Sequence, residues 1–183
     1  LAVVLAIIAV VTAITLPQLQ NVNQNTEARN EAHRFVQMMR EAAELARSTR
    51  QVICVVAESP TQFSVRGATG ANGRCDDTTP TNNTLLNGPL SFPTVSNVRA
   101  SHIAPPAPLL VRDTSVVPRL LWAETAFGQP GGVLGVDVDL NFGIPAGNTG
   151  ERTPLLEVTA TFGGSVNLVI THYTSGTLDV QGL

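Results

Sequence analysis

The chain has 183 residues, of which 14% are charged, and a formal net charge of −3 at pH 7. That length admits one globular domain with a substantial core plus an extended helix. The acidic balance, with all 11 basic residues Arg and none Lys, argues against a general nucleic-acid surface.

Residues 1–16, LAVVLAIIAVVTAITL, form a continuous apolar run without charge or Gly, closed by Pro17. Thr12 and Thr15 are its only polar side chains. A signal peptide fits poorly, because no basic stretch precedes the run and no small-residue cleavage site follows it. A stand-alone membrane span takes roughly 20 apolar residues to cross about 30 Å of hydrocarbon. The run is therefore either part of a longer anchor or a helix buried only partly in lipid.

The segment LAVVLAIIAVVTAITLPQLQ resembles the N-terminal segment of type IV pilins and type II secretion pseudopilins, and Thr15-Leu16-Pro17 stands where that family has an Ala-Leu-Pro-like step. The family's Phe-Thr-Leu-Ile-Glu-like start, with its methylated first residue, does not precede Leu1. Under this resemblance Leu1 falls directly after the position of that glutamate, and the numbering is expected to begin inside the mature protein. In this resemblance Leu1, Val4, Leu5, Ile7, Ile8, Val11 and Ile14 supply a filament core. The small residues Ala2, Ala6, Ala9 and Ala13 let neighbouring helices approach closely.

Beyond Pro17, Ala28, Ala32, Phe35, Met39, Ala43 and Ala46 recur at three- or four-residue spacing and line one helical face. Glu27, Glu31, Arg34, Arg40 and Glu44 lie off that stripe. A single helix from Leu1 to about Arg50 would run roughly 75 Å. Pro17 removes a backbone donor and crowds the preceding turn, and Asn21, Asn23 and Asn25 are weak helix formers. The helix is therefore expected to kink or loosen between about Thr12 and Asn25. The chain divides into an apolar assembly helix with a kink near Pro17 (1–25) and a globular domain (26–183) with a helix over 26–50 and a β-rich part over 51–183.

Gln51–Ala57 is β-branched and apolar, and Thr61–Arg66 is its hairpin partner across Glu58-Ser59-Pro60. Gly67–Pro89, rich in Gly, Asn, Thr and Asp, reads as a long loop. Val95–Ile103 is a strand, Ala104–Pro108 a rigid connector, and Leu109–Arg112 and Leu120–Trp122 are short apolar pieces. Gly128–Gly132 is a turn. Val133–Phe142, Leu155–Phe162 and Val166–Tyr173 are strands, the last two joined by Gly163-Gly164, and Leu178–Val180 is a final edge. The fold class is α+β: a long N-terminal helix, apolar and then amphipathic, packed on a C-terminal antiparallel β-sheet domain. The stretch AAELARSTRQVICVV, the pair Phe142-Gly143 and Ser175-Gly176-Thr177-Leu178 are most similar to the pattern of H-type pseudopilins and fimbrial-biogenesis minor pilins. The resemblance implies the pilin fold.

Cys54 and Cys75 are the two cysteines. In an exported chain an even count implies one disulfide, contributing about 3 kcal/mol in the chain-entropy model; the alternative is two buried free thiols. Asn82-Asn83-Thr84 is a sequon that marks Asn82 as a candidate glycosylation acceptor.

No catalytic residue and no metal ligand set is expected. Asp137 and Asp139 alternate on one strand face, as solvated residues do. Asp76 and Asp77 beside Cys75 are oxygen ligands of the type calcium takes, but no acidic cluster matches them near the C-terminus. His33, His102 and His172 stand apart from one another and from Cys at ligand spacing. No phosphate-binding loop and no nucleophile elbow is present. The reading is a non-enzymatic filament subunit without cofactor, a homo-oligomer in a helical filament. Its other partners are the inner membrane before assembly and the pilus or secretion assembly machinery; no nucleic acid is expected. It would move from the inner membrane to an extracellular filament on the cell surface, or stay periplasmic as a pseudopilin. Two alternatives stand beside it: a minor pseudopilin of a type II secretion system, and a membrane-anchored adhesin or DNA-binding receptor that never polymerises.

Overall fold

In the computed structural model of the protein the described residues are 2–70, 73–76, 78–102, 111–124, 154–173 and 175–183. The side chains at 5–21, 102 and 111–113 are not among them. The expected strand Val133–Phe142, with Asp137 and Asp139, the connector Ala104–Pro108 and the turn Gly128–Gly132 lie outside the described residues, as do Leu1 and Asp77.

The fold is α+β, an N-terminal helix followed by an antiparallel sheet domain. Helix α1 covers Ala2–Thr49 as one element. The loosening expected between Thr12 and Asn25 does not interrupt it. Pro17 costs a hydrogen bond in one turn, and the turns on either side continue the helical backbone. Arg50, at φ 55, adopts the left-handed conformation that ends helices, at a cost of roughly 1–2 kcal/mol for a residue with a side chain.

Nine strands follow among the described residues: β1 Ile53–Ser59, β2 Gln62–Gly67, β3 Thr84–Ser91, β4 Val95–His102, β5 Val111–Asp113, β6 Arg119–Glu124, β7 Pro154–Phe162, β8 Val166–Tyr173 and β9 Leu178–Gln181. They form two sheets, ordered β3-β2-β1-β6 and β5-β4-β7-β8-β9. Every pairing in them is antiparallel.

The long loop read over Gly67–Pro89 is half wrong. Its second part is β3, with Thr84 opposite Gly67 and Leu90 opposite Phe63. Pro89 lacks a donor and Gly88 sits at φ 101, which an edge strand tolerates because its outer side makes no ladder bonds. β1 is buried on both faces. Ile53, Val55 and Ala57 point into the main core, whereas Cys54 and Val56 join Cys75, Leu120 and Ala123 in a second, smaller cluster. That double burial explains its unbroken apolar sequence. β7 and β8 alternate instead, with one face in the core and the other partly open.

The expected helical stripe is the buried face: Ala28, Ala32, Phe35, Met39 and Ala46 are at 4% exposure or less, as is Ala43. Phe35 is its centre. Its ring makes edge-on contacts with Phe63 (5.3 Å), Phe92 (5.6 Å), Phe162 (5.9 Å) and Trp122 (6.5 Å). These partners come from both sheets and from the β3–β4 turn, so one side chain joins the three parts of the core. Edge-to-face pairs contribute about 0.5–1.5 kcal/mol each beyond their buried area. Phe35→Ala is expected to cost about 3–5 kcal/mol, measured by denaturant unfolding; a loss below about 1 kcal/mol would contradict this role.

Candidate functional site

The residues from Asn25 to Glu31 mark the place where α1 leaves the domain. Three contacts hold it there. Asn25 Oδ1 accepts a hydrogen bond from the Ser165 hydroxyl at 2.9 Å. One turn on, Ala28 packs on Gly163, in the β7–β8 turn. Gly163 is at φ +57, and a Cβ there would lie 2.9 Å from the Cβ of Ala28, so the close approach and the backbone both require glycine. Glu31 Oε2 accepts from the Thr94 backbone N–H at 2.9 Å and from its hydroxyl at 2.7 Å. The Gly163 N–H donates to Thr94 O at 2.7 Å, so the two turns form a single collar around the helix. Glu31 had been placed off the buried stripe; it is 5% exposed. A carboxylate can sit there because Thr94 supplies two donors.

Among the described side chains of α1, burial begins at this collar. Ala28 is fully buried, whereas Val22 is 61% exposed and Val3 72%. Ala2–Val4 and Val22–Glu27 are all exposed. Among the candidate assembly residues Val4 is exposed; the Leu1, Leu5, Ile7, Ile8, Val11 and Ile14 side chains lie outside the described set, and Pro17 lies in the helical backbone. Among the described residues no helix is long and apolar enough to cross a membrane.

Opposite the helix, the outer face of the first sheet is closed by the loop after β2. Cys54 and Cys75 form a disulfide with a Cα–Cα distance of 5.9 Å, and both are buried. Asn83 organises the rest of the loop. Its amide donates to Pro80 O at 2.8 Å and Asp76 O at 3.1 Å, and its Oδ1 accepts from the Asp76 N–H at 3.0 Å. Arg66 donates to Thr81 O and Asn83 O at 2.9 and 2.8 Å, and to Glu58 Oε1 at 2.6 Å. Burial raises the Glu58 carboxyl, but the Ser64 hydroxyl and the Arg66 guanidinium outweigh it and hold it below its ordinary value. Asn82 is exposed on the short 3-10 helix Pro80–Asn82, and Thr84 is exposed at the start of β3.

The histidines differ. His33 is exposed on α1, and the His102 side chain lies outside the described set. His172, read as isolated, is paired: its Nε2 lies 2.7 Å from Glu124 Oε1, with side-chain exposures of 1% and 0%. Burial pushes the Glu124 carboxyl up, against the opposing pull of His172, Arg47 and Trp122. Glu124 belongs to no motif in the sequence. The available signal is its position, a charged residue closing the apolar run Leu120–Ala123, because a buried charge must find a partner. Asp76 is engaged with Thr79 and Asn82. No group of three or more His, Cys, Asp or Glu able to hold a metal occurs among the described residues. A groove of about 530 Å³ beside α1 is lined by Arg34, Gln37, Met38, Arg40, Glu41, Glu44 and Leu90, a set of mixed charge without a nucleophile–base pair.

No family model, curated protein or solved structure matches the chain.

The loop makes its own prediction. Replacing both cysteines with Ser should lower unfolding stability by about 3 kcal/mol. It should also speed tryptic cleavage at the exposed Arg74, read by mass spectrometry of the fragments.

Proposed function

We propose that this chain is a structural subunit of a type IV pilus-like filament, built on the pilin fold and polymerising through the apolar first half of α1. The observation that carries the reading is the division of one helix. α1 covers Ala2–Thr49, the first buried residue among its described side chains is Ala28, and the run ahead of the collar is apolar and uncharged from residue 1 to 16. From Ala2 to Glu27 that helix measures about 39 Å at 1.5 Å per residue. Only the part of that rod up to Leu16 is apolar, and an uncharged apolar segment carried so far from the domain must find either lipid or other apolar helices.

In this reading the rod holds the subunit in the inner membrane and then exchanges lipid for the rods of neighbouring copies. Leu1, Val4, Leu5, Ile7, Ile8, Val11 and Ile14 form the packed core, and the alanines between them let the helices close up. The sheet domain faces outward, on the cell surface, with the disulfide-closed loop as part of its coat. The chemistry is association, without a catalytic step or a cofactor. The filament's assembly machinery is the remaining partner.

Ala6→Arg tests the proposal. In a packed helical core it would bury an unpaired charge in every subunit, at a cost of several kcal/mol each. The expected outcome is loss of surface filaments in electron micrographs, with the sheet domain still folded and the disulfide still formed. Normal filaments from Ala6→Arg cells would refute the core-helix reading.

A further inference from the structure

Glu124 is the last residue of β6, at the edge of the first sheet, and His172 is next to the last of β8, inside the second. Their 2.7 Å contact therefore crosses from one sheet to the other. Both side chains are buried to within 1%. Among the described residues, Glu124 Oε2, His172 Nδ1 and the neighbouring Trp122 Nε1 make no hydrogen bond of good geometry, although the Trp122 indole stands near enough to act on the Glu124 carboxyl. Around the pair, Glu124 stands opposite Ile53 on β1, and His172 stands opposite Leu156 on β7 and Leu178 on β9. From α1 the charge of Arg47 acts on Glu124, while its guanidinium donates to Gly176 O in the β8–β9 turn at 3.0 Å.

A pair enclosed in this way has one comfortable state. With the Glu124 carboxyl protonated the site holds no buried carboxylate, and the carboxyl hydroxyl can donate to the His172 ring nitrogen. Without that proton a carboxylate is left buried beside the His172 ring and the Trp122 indole, with a cation that is itself engaged elsewhere. A buried charge so poorly compensated favours separation of the surfaces that enclose it. We propose that the Glu124–His172 bond is a proton-dependent tie between the two sheets, closed while the pair shares a proton and loosened when that proton leaves.

The sign follows from the direction of the Glu124 shift. Its folded-state value is raised, so its stabilising contribution is full below the ordinary carboxylate value and is lost as pH rises through the raised one. Within that window the folded state retains a proton that the unfolded chain has released, and the opening equilibrium grows by up to about tenfold per pH unit.

The test compares the full chain in detergent with its Glu124→Gln variant, which keeps the shape and the hydrogen bond but cannot titrate. Hydrogen exchange of the β6 amides Leu121–Glu124, corrected for intrinsic rates, is measured from about pH 5 to about pH 8, a range spanning the ordinary Glu and His values. The wild type is expected to lose protection with rising pH relative to Glu124→Gln, by up to about tenfold per unit. Parallel profiles would overturn the proposal. If Glu124→Gln does not fold, carbon-13 NMR of the wild-type carboxylates decides: a Glu124 midpoint above the ordinary value of about 4.3 supports the tie, and one at that value overturns it.

Discussion

Phe35 is the point through which the helix and both sheets are joined. Its ring touches Phe63, Trp122, Phe162 and Phe92, and no two of these rings share an element. The contacts are edge-on, the arrangement that suits aromatic quadrupoles, and they leave the helix no freedom to rotate or slide without losing several at once. Met38, Met39 and the alanines at 28, 32, 42 and 46 fill the space around the ring. The small residues set how near the helix comes, and Phe35 sets where.

With that position fixed, the collar decides what the helix can do outside the domain. Asn25, Ala28 and Glu31 are held by the β7–β8 hairpin turn and by the link from β3 to β4 between the two sheets, so the direction in which the helix departs is part of the folded structure. A filament built from such rods would need every copy to present its rod at the same angle. The collar meets that need with one glycine, one threonine and one serine, none of which carries a recognisable motif.

The parts legible in the sequence were those whose pattern is local. The stripe from Ala28 to Ala46 follows from helical spacing, the β1–β2 and β7–β8 hairpins from alternation and turn residues, and the α+β class from their order. β3 was hidden because its strand sequence, TLLNGPLS, contains Asn, Gly and Pro, which mark loops unless an edge position makes them harmless. The division into two sheets depends on β6 pairing with β1 rather than with its later neighbours, a choice made by tertiary packing. Glu31 and Glu124 were misread or passed over for one reason: the groups that make their burial tolerable, Thr94 and His172, stand 63 and 48 residues away. Spacing along the chain carries no trace of such partners.

The collar also bears on how the subunit is made. Its helix is made well before Phe162, Gly163 and Ser165, which cover its exit and part of its apolar face: Ser165 follows Asn25 by 140 residues. Until the β7–β8 hairpin is complete, the stripe around Phe35 and Met39 has only the first sheet to lean on. Contacts between residues this distant form late and slowly, and an apolar stripe left open meanwhile attracts other chains. Until that hairpin is made, the helix carries two apolar surfaces, the run over residues 1–16 and the stripe. If the run sits in lipid, as the proposed filament reading has it, unfinished chains would be kept on a membrane surface and meet less freely in bulk solution.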